Sequence, residues 1–282
     1  MKKILIPTDF SDCAGNAIDF AVQSAKYLPI EITLLHTFEG KEDVLTDYLG
    51  VNKSFNQSLL NEVQKKLSQL KKFIEESEGV IVNTCISVNP LTDAVLEAAG
   101  ENQSDLIIMG TLGASGLKEK LLGSRTATLI GKTNTPVLVI PHDYIWKKPE
   151  KLLLATNHFE KEPAILDFLF EMADLYMAKA QVIVFTEEEG ENAFTILEHT
   201  RKTPRYEKML KEHYKQETLT AIHLFGNEFE ESLQEYIKLN EIDILAMITY
   251  PRNGFLDRIF HPSFTKRMSY HSHIPLLVIP AQ

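Results

Sequence analysis

The densest candidate chemistry in the chain lies in Met109–Ser124, MGTLGASGLKEKLLGS. Of 13 glycines in 282 residues, Gly110, Gly113, Gly116 and Gly123 all fall there. Glycine gives up backbone entropy on folding, so a local concentration means that the backbone adopts positive φ or lets another group come close. A glycine-rich turn presents backbone N–H groups to an anion. Gly123 and Ser124 also open the helical pattern SRTATLIGKTN, whose N-terminus carries partial positive charge and unpaired donors. Gly123 permits close approach, and the Ser124 hydroxyl can cap the helix or bond a phosphate oxygen. Phosphate is the expected guest. Asp9, in the segment IPTDF, is acceptor-only at neutral pH and suits ribose hydroxyls or a Mg²⁺ ion carried with the phosphates. Together these residues describe a nucleotide site. The loop is neither a Walker A sequence nor the dinucleotide fingerprint GxGxxG.

These residues need elements to hold them. Short apolar runs at Ile4–Ile6, Ile32–Leu35, Val80–Val88, Leu106–Met109 and Val137–Ile140 alternate with helical patterns such as Ala17, Ile18, Ala21, Val22, Ala25. Four of the runs are nearly continuous, as suits strands buried on both faces of a parallel sheet. Val80–Val88 alternates and belongs nearer an edge. Ser11 is the expected N-cap of the first helix and Thr92 that of the third. The pattern predicts a doubly wound α/β sheet of five strands, order 3-2-1-4-5, flanked by helices. In such sheets ligands sit beyond the carboxyl ends of the strands where the winding reverses. Strands one and four are neighbours there, which brings Asp9 and the glycine loop to one crevice.

The chain is written twice. KKILIPTDF (2–10) returns as EKLLLATNHF (150–159), SDLIIMGT (104–111) as IDILAMIT (242–249), and TPVLVIP (135–141) as IPLLVIP (274–280). The offset of about 140 residues is far longer than a solenoid repeat and matches a whole domain. The expected division is a nucleotide-binding domain over 1–141, a linker over 142–150, and a second α/β domain over 151–282. In the second copy Ile248 replaces Gly110, Pro251 replaces Gly113, and His261 and Pro262 replace Gly123 and Ser124; Asn157 replaces Asp9, and Gly254, opposite Gly116, survives. Proline offers no N–H, and side chains fill the space a phosphate needs, so this copy is expected not to bind nucleotide. Each final strand is apolar and would lie at a sheet edge. Val137–Ile140 is expected to pair with Leu276–Ile279, within the chain as a pseudo-dimer or between chains.

Net charge of −10 with interspersed signs argues against sequence-independent nucleic-acid binding. No stretch reaches the roughly 18 apolar residues of a membrane span, and Pro7 and Asp9 interrupt the N-terminal apolar run well short of a signal-peptide core. Two cysteines, Cys13 and Cys85, fit a reducing cytoplasm. A packed side chain is the simpler reading of Cys13 than a redox role, although it falls in a helix's first turn. His261, His271 and His273 lack a firm set of ligands, and no metal site is expected.

The first copy resembles the universal stress proteins. Their ATP-binding members carry glycine, two residues, glycine, nine residues, then glycine and serine or threonine, as Gly110, Gly113, Gly123 and Ser124 stand here. ILIPTDFS, LLHTF, SDLIIMGT and TPVLVIP extend the match, and the resemblance covers the chain as a tandem of two such domains. It implies ATP or a related adenine nucleotide, with Mg²⁺, held by Pro7, Thr8, Asp9, Met109, Gly110, Gly113, Gly123 and Ser124, with backbone groups near Thr37 and Phe38 on the adenine. Arg125 is unusual for the family; it serves phosphate or is a solvated charge. Asn89 stands where a glycine commonly follows the third strand. A nucleotide-dependent regulatory module is the expected function. A nucleotide-free dimerisation scaffold is the first alternative. An enzyme, at most a slow ATPase, is the second, since no P-loop lysine or histidine stands at the loop to stabilise a transferring phosphoryl group.

Overall fold

A computed structural model describes residues 2–38, 51–111, 124–188, 193–250 and 273–281. Gly113, Gly116, Gly123, Pro251, Gly254, His261, Pro262 and His271 lie outside the described residues. The first half runs β1 (Lys2–Pro7), α1 (Asp12–Ala25), β2 (Ile30–Thr37), α2 (Val51–Glu78), β3 (Val82–Ser87), α3 (Leu91–Glu101), β4 (Leu106–Gly110), α4 (Ser124–Ile130) and β5 (Val137–Ile140). The second runs β6 (Lys151–Thr156), α5 (Pro163–Tyr176), β7 (Lys179–Glu187), α6 (Ala193–Tyr214), β8 (Thr220–Gly226), α7 (Phe229–Asn240), β9 (Ile244–Thr249) and β10 (Leu276–Pro280).

All ten strands join one sheet in the order β3-β2-β1-β4-β5-β10-β9-β6-β7-β8. Each half is therefore a parallel sheet of order 3-2-1-4-5, with the alternating strand β3 at one edge and β8 at the other. The seam is antiparallel: Leu276 faces Val139, Leu277 faces Leu138 and Val278 faces Val137. None of these six residues is more than 6% exposed, so each half covers the other's apolar edge. Helices α1, α2, α5 and α6 pack on one face and α3, α4 and α7 on the other, giving two continuous cores.

One device repeats at the amino ends of the strands. The Asp105 carboxylate accepts from the Lys3 amide (2.7 Å), and Asp243 accepts from the amides of Lys151 (2.9 Å) and Glu150 (2.8 Å). Each aspartate pins the start of its half's fourth strand to the start of its first, fixing what meets at the opposite, carboxyl end. Across the halves, α5 docks on α1 through the Tyr176 hydroxyl, which donates to Ser24 Oγ (2.8 Å), and Glu171 pairs with Lys2 (2.7 Å). The 142–150 connection folds back over α1, with Trp146 stacked on Tyr27 at 5.8 Å.

The caps divide. Ser11 does cap α1, accepting from the Ala14 amide (3.3 Å). Thr92 does not cap α3: the helix starts at Leu91 behind Pro90, whose extended backbone ends the preceding segment without a side-chain hydrogen bond. Asn89 does not use the left-handed backbone open to it; its side chain donates to Glu97 (2.8 Å).

Candidate functional site

The chain turns from β1 into α1 through a relay of polar side chains. Thr8 Oγ1 accepts from the Phe10 amide (3.1 Å), Asp9 Oδ1 from the Ser11 amide (3.0 Å), and Ser11 Oγ from Ala14. Each satisfies a donor that strand and helix leave open, so the turn is rigid. Phe10 sits at φ 61°, in left-handed space that non-glycine residues enter at a cost. His36 on β2 holds it there. Its Nδ1 lies 2.7 Å from the Thr8 carbonyl oxygen, an acceptor, so the proton is on Nδ1; its ring also packs against Phe10 at 4.7 Å. His36 thus positions Asp9 from behind. The only sequence signal was a histidine inside the strand segment LLHTF.

Strand register brings the other residues to the same edge. Pro7 pairs with Leu35 and Leu5 with Ile107, so Asp9 stands level with Thr37, and Met109 level with Pro7. Pro7, Thr8 and Met109 are buried beneath this edge, while Asp9, Thr37, Phe38 and Gly110 are part-exposed on it. The Phe38 amide already donates to the Ser87 carbonyl (2.8 Å), so that N–H is engaged within the sheet. Ser124 is the first residue of α4 and Arg125 the second; both are exposed. Thr126, one turn in, donates to the Gly110 carbonyl (3.2 Å) and fastens α4 to the end of β4.

Gly110 has a packing reason of its own. A Cβ there would come within 2.5 Å of the Cys13 carbonyl oxygen, because the first turn of α1 lies directly against β4. Beside it, the Thr111 hydroxyl is buried and has no hydrogen-bond partner among the described residues. An unmet buried hydroxyl costs free energy that a polar ligand can recover. The arrangement sets the Asp9 carboxylate, the Thr111 hydroxyl, unpartnered among the described residues, and the start of α4 at one strand edge.

The matching edge of the second half carries a different set of polar and aromatic side chains. Glu160, 4% exposed, accepts from the amides of Lys161 and Glu162 (both 2.7 Å) and from the Tyr250 hydroxyl (2.9 Å), and lies 3.0 Å from His158 Nε2. Burial alone would raise its pKa, but these hydrogen bonds outweigh it and hold the carboxyl down at about 2. Tyr206 donates to the Glu160 carbonyl (2.6 Å), and Phe159 sets its edge against Tyr206 and His199. Where register places Phe38 in the first half, Thr186 stands between His199 Nδ1 (2.8 Å) and His223 Nε2 (2.9 Å). At Gly110's position, Ile248 is fully buried. Among the described residues no group of three or more histidine, cysteine or carboxylate side chains is placed to hold a metal ion; His273 instead pairs with Asp143 (3.2 Å). No described helix is long and apolar enough to cross a membrane.

The sequence profile of the universal stress protein family matches residues 1–141. A universal stress protein of Methanocaldococcus jannaschii is 36% identical over 153 residues, spanning 49% of this chain and 94% of that protein. The universal stress protein YxiE of Bacillus subtilis is 33% identical over 147 residues, spanning 49% of this chain and 98% of its own length. The crystal structure of a universal stress protein from Archaeoglobus fulgidus covers 99% of this chain and 98% of its own, with a TM-score of 0.75 at 16% identity, a likeness of fold along the whole length.

Proposed function

The chain belongs to the universal stress protein family, and from that premise we propose that it binds one adenine nucleotide, ATP with its Mg²⁺, at the crevice of its first half. In this reading 1–141 is the nucleotide-binding unit, 142–150 the connection, and 151–282 a unit that has lost the ligand and serves the fold through the β5–β10 seam. The observation that carries it is the convergence of Asp9, Thr111 and the start of α4 on one strand edge, with the buried Thr111 hydroxyl unmet among the described residues. Asp9 accepts from ribose hydroxyls or supports the ion. Gly113 and Gly123 give the phosphates access to backbone amides, Ser124 adds a hydroxyl, and Arg125 adds charge at the open rim. The Pro7–Thr8 and Met109–Gly110 pairs form the walls, with Thr37 and Phe38 at the base end. Binding would act as a regulatory state of a cytoplasmic protein.

Acid release of nucleotide from freshly purified protein, identified by chromatography, followed by calorimetric titration of the stripped chain, tests this. One adenine nucleotide per chain is expected. Two equivalent sites, or no heat with ATP in the folded chain, would overturn it.

A further inference from the structure

We propose that Cys13 and His142 form a reactive thiol–imidazole pair, a site for oxidation or alkylation by peroxides and small electrophiles. The two residues come from distant parts of the chain, and the fold sets Cys13 Sγ 3.0 Å from His142 Nδ1. A nucleophile and a base within hydrogen-bond reach are the first requirement for an activated thiol. A second comes from the helix. Cys13 is the second residue of the 14-residue helix α1, behind the Ser11 cap, where open amides and the helix dipole favour a thiolate over a thiol.

The base is held in place by the same helix. Asn16, one turn after Cys13, donates its side-chain amide to the carbonyl of His142 and reaches that of Pro141 (3.5 Å). This is the third member of such a site, the group that orients the base, acting here through the backbone. His142 is exposed and covers a thiol whose residue is only 5% exposed, so the ring shields the sulfur from large reagents while small ones pass. Among the described residues, the charged groups adjacent in the chain to the pair are Asp12 and Asp143, both exposed, with Asp143 engaged by His273.

Cys85 is the internal control. It sits on β3 with its thiol directed at the Leu34 carbonyl (3.7 Å), which accepts a hydrogen bond and cannot remove a proton; burial, then the Glu101 carboxylate, push its pKa up. One chain therefore holds an activated thiol and a suppressed one.

With hydrogen peroxide, the Cys13 thiol proton passes to His142 and the sulfur attacks one peroxide oxygen. An S–O bond forms as the O–O bond breaks, and the leaving hydroxide takes the proton from His142 and departs as water. Sulfur is oxidised to a sulfenic acid and peroxide is reduced. The added oxygen must displace His142, and with it the end of β5 that begins the connection to the second half. Because the Cys13 carbonyl lies against Gly110, the modified turn also borders the first crevice. The inference does not depend on nucleotide binding.

The test is the rate at which each cysteine of the full chain is trapped by dimedone after hydrogen peroxide, and by iodoacetamide, read by peptide mass spectrometry at pH 7. Cys13 is expected to react at least ten times faster than Cys85. In a Cys85→Ser background, His142→Gln should slow Cys13 by about tenfold or more and move the acid limb of its rate profile to higher pH. Asn16→Ala, which leaves thiol and imidazole in place, should slow it a few-fold. A Cys13 rate at or below that of Cys85 would overturn the proposal, and so would a rate that His142→Gln leaves unchanged in a folded protein. Should His142→Gln fail to fold, the Cys13-to-Cys85 ratio in the unaltered chain and the Asn16→Ala rate decide.

Discussion

The two strand edges of this protein start from one plan and end as opposites. In the first half the β1–α1 turn is short, α1 begins at Asp12, and its first turn presses on Gly110; Asp9 remains part-exposed on the edge, and the buried Thr111 hydroxyl is unmet among the described residues. In the second half β6 ends at Thr156 and α5 begins only at Pro163, a longer connection that moves the helix start away. Ile248 stands fully buried at the glycine's position, and the extra chain carries His158 and Glu160, which meet at 3.0 Å. There the buried Glu160 carboxylate is met from within the chain, as a buried polar group requires.

The sharpest way to break this comparison is to exchange the residues that separate the halves. Gly110→Ile places a side chain against the Cys13 backbone, which cannot yield without moving α1, and should cost about 3 kcal/mol or more of unfolding free energy in urea. Wild-type stability in that variant would show that helix docking does not require this glycine.

Next in size is Glu160→Gln. With its carboxyl held at about 2 against an ordinary 4.5, Glu160 contributes roughly 3 kcal/mol at neutral pH. A depressed carboxyl stabilises fully above 4.5 and loses that contribution as pH falls through 2. The gap between wild type and variant, measured by urea unfolding from pH 7 downward, should therefore be widest at neutral pH and close across that window. A constant gap would mean that the carboxylate is not what fills the second crevice.

Asp9→Asn gives the first half the residue that Asn157 supplies in the second. The amide oxygen can still accept from Ser11, so stability should change by less than about 0.5 kcal/mol, while loss of the charge should weaken nucleotide affinity by about 30- to 100-fold in calorimetric titration. The reciprocal Asn157→Asp should create no binding, because Ile248, Pro251, His261 and Pro262 still stand at the positions of Gly110, Gly113, Gly123 and Ser124.

The smallest effect belongs to His223. Burial, then the neighbouring His199, lower its pKa, so the folded protein keeps it neutral while the unfolded chain takes up a proton more readily. Stability should rise with pH through the ordinary imidazole range and fall below about 6.5. His223→Gln should flatten that slope without altering nucleotide binding. An unchanged slope would remove the Thr186 bridge from the account of the second half.

Local pattern was enough for much of this molecule. Buried strands read as continuous apolar runs, alternation placed β3 at an edge, and the alternation of strands with helices called for parallel crossovers, within which 3-2-1-4-5 is the order found. Ser11 was legible as a cap because a cap bonds only its own helix start. Thr92 was misread because Pro90 dictates where α3 begins, and a proline's effect on its neighbours outweighs a preferred cap residue. The divergence of the second edge was legible as well, since Ile248 and Asn157 stand in sequence opposite Gly110 and Asp9.

What only the tertiary structure decided depends on groups far apart in the chain. His36 reveals its role once register sets it beside Thr8, and Cys13 meets His142 only when β5 closes next to α1. Gly110, read from sequence as room for a phosphate, has room for α1 as its first requirement. Glu160 is one more acidic residue until Tyr250 arrives from the far end of β9. Periodicity and turn chemistry are written in neighbouring residues, so the sequence alone carried the elements, their order and the edge on which chemistry sits. The partners of each polar group were settled by helix docking and strand register, through contacts that no local stretch of chain contains.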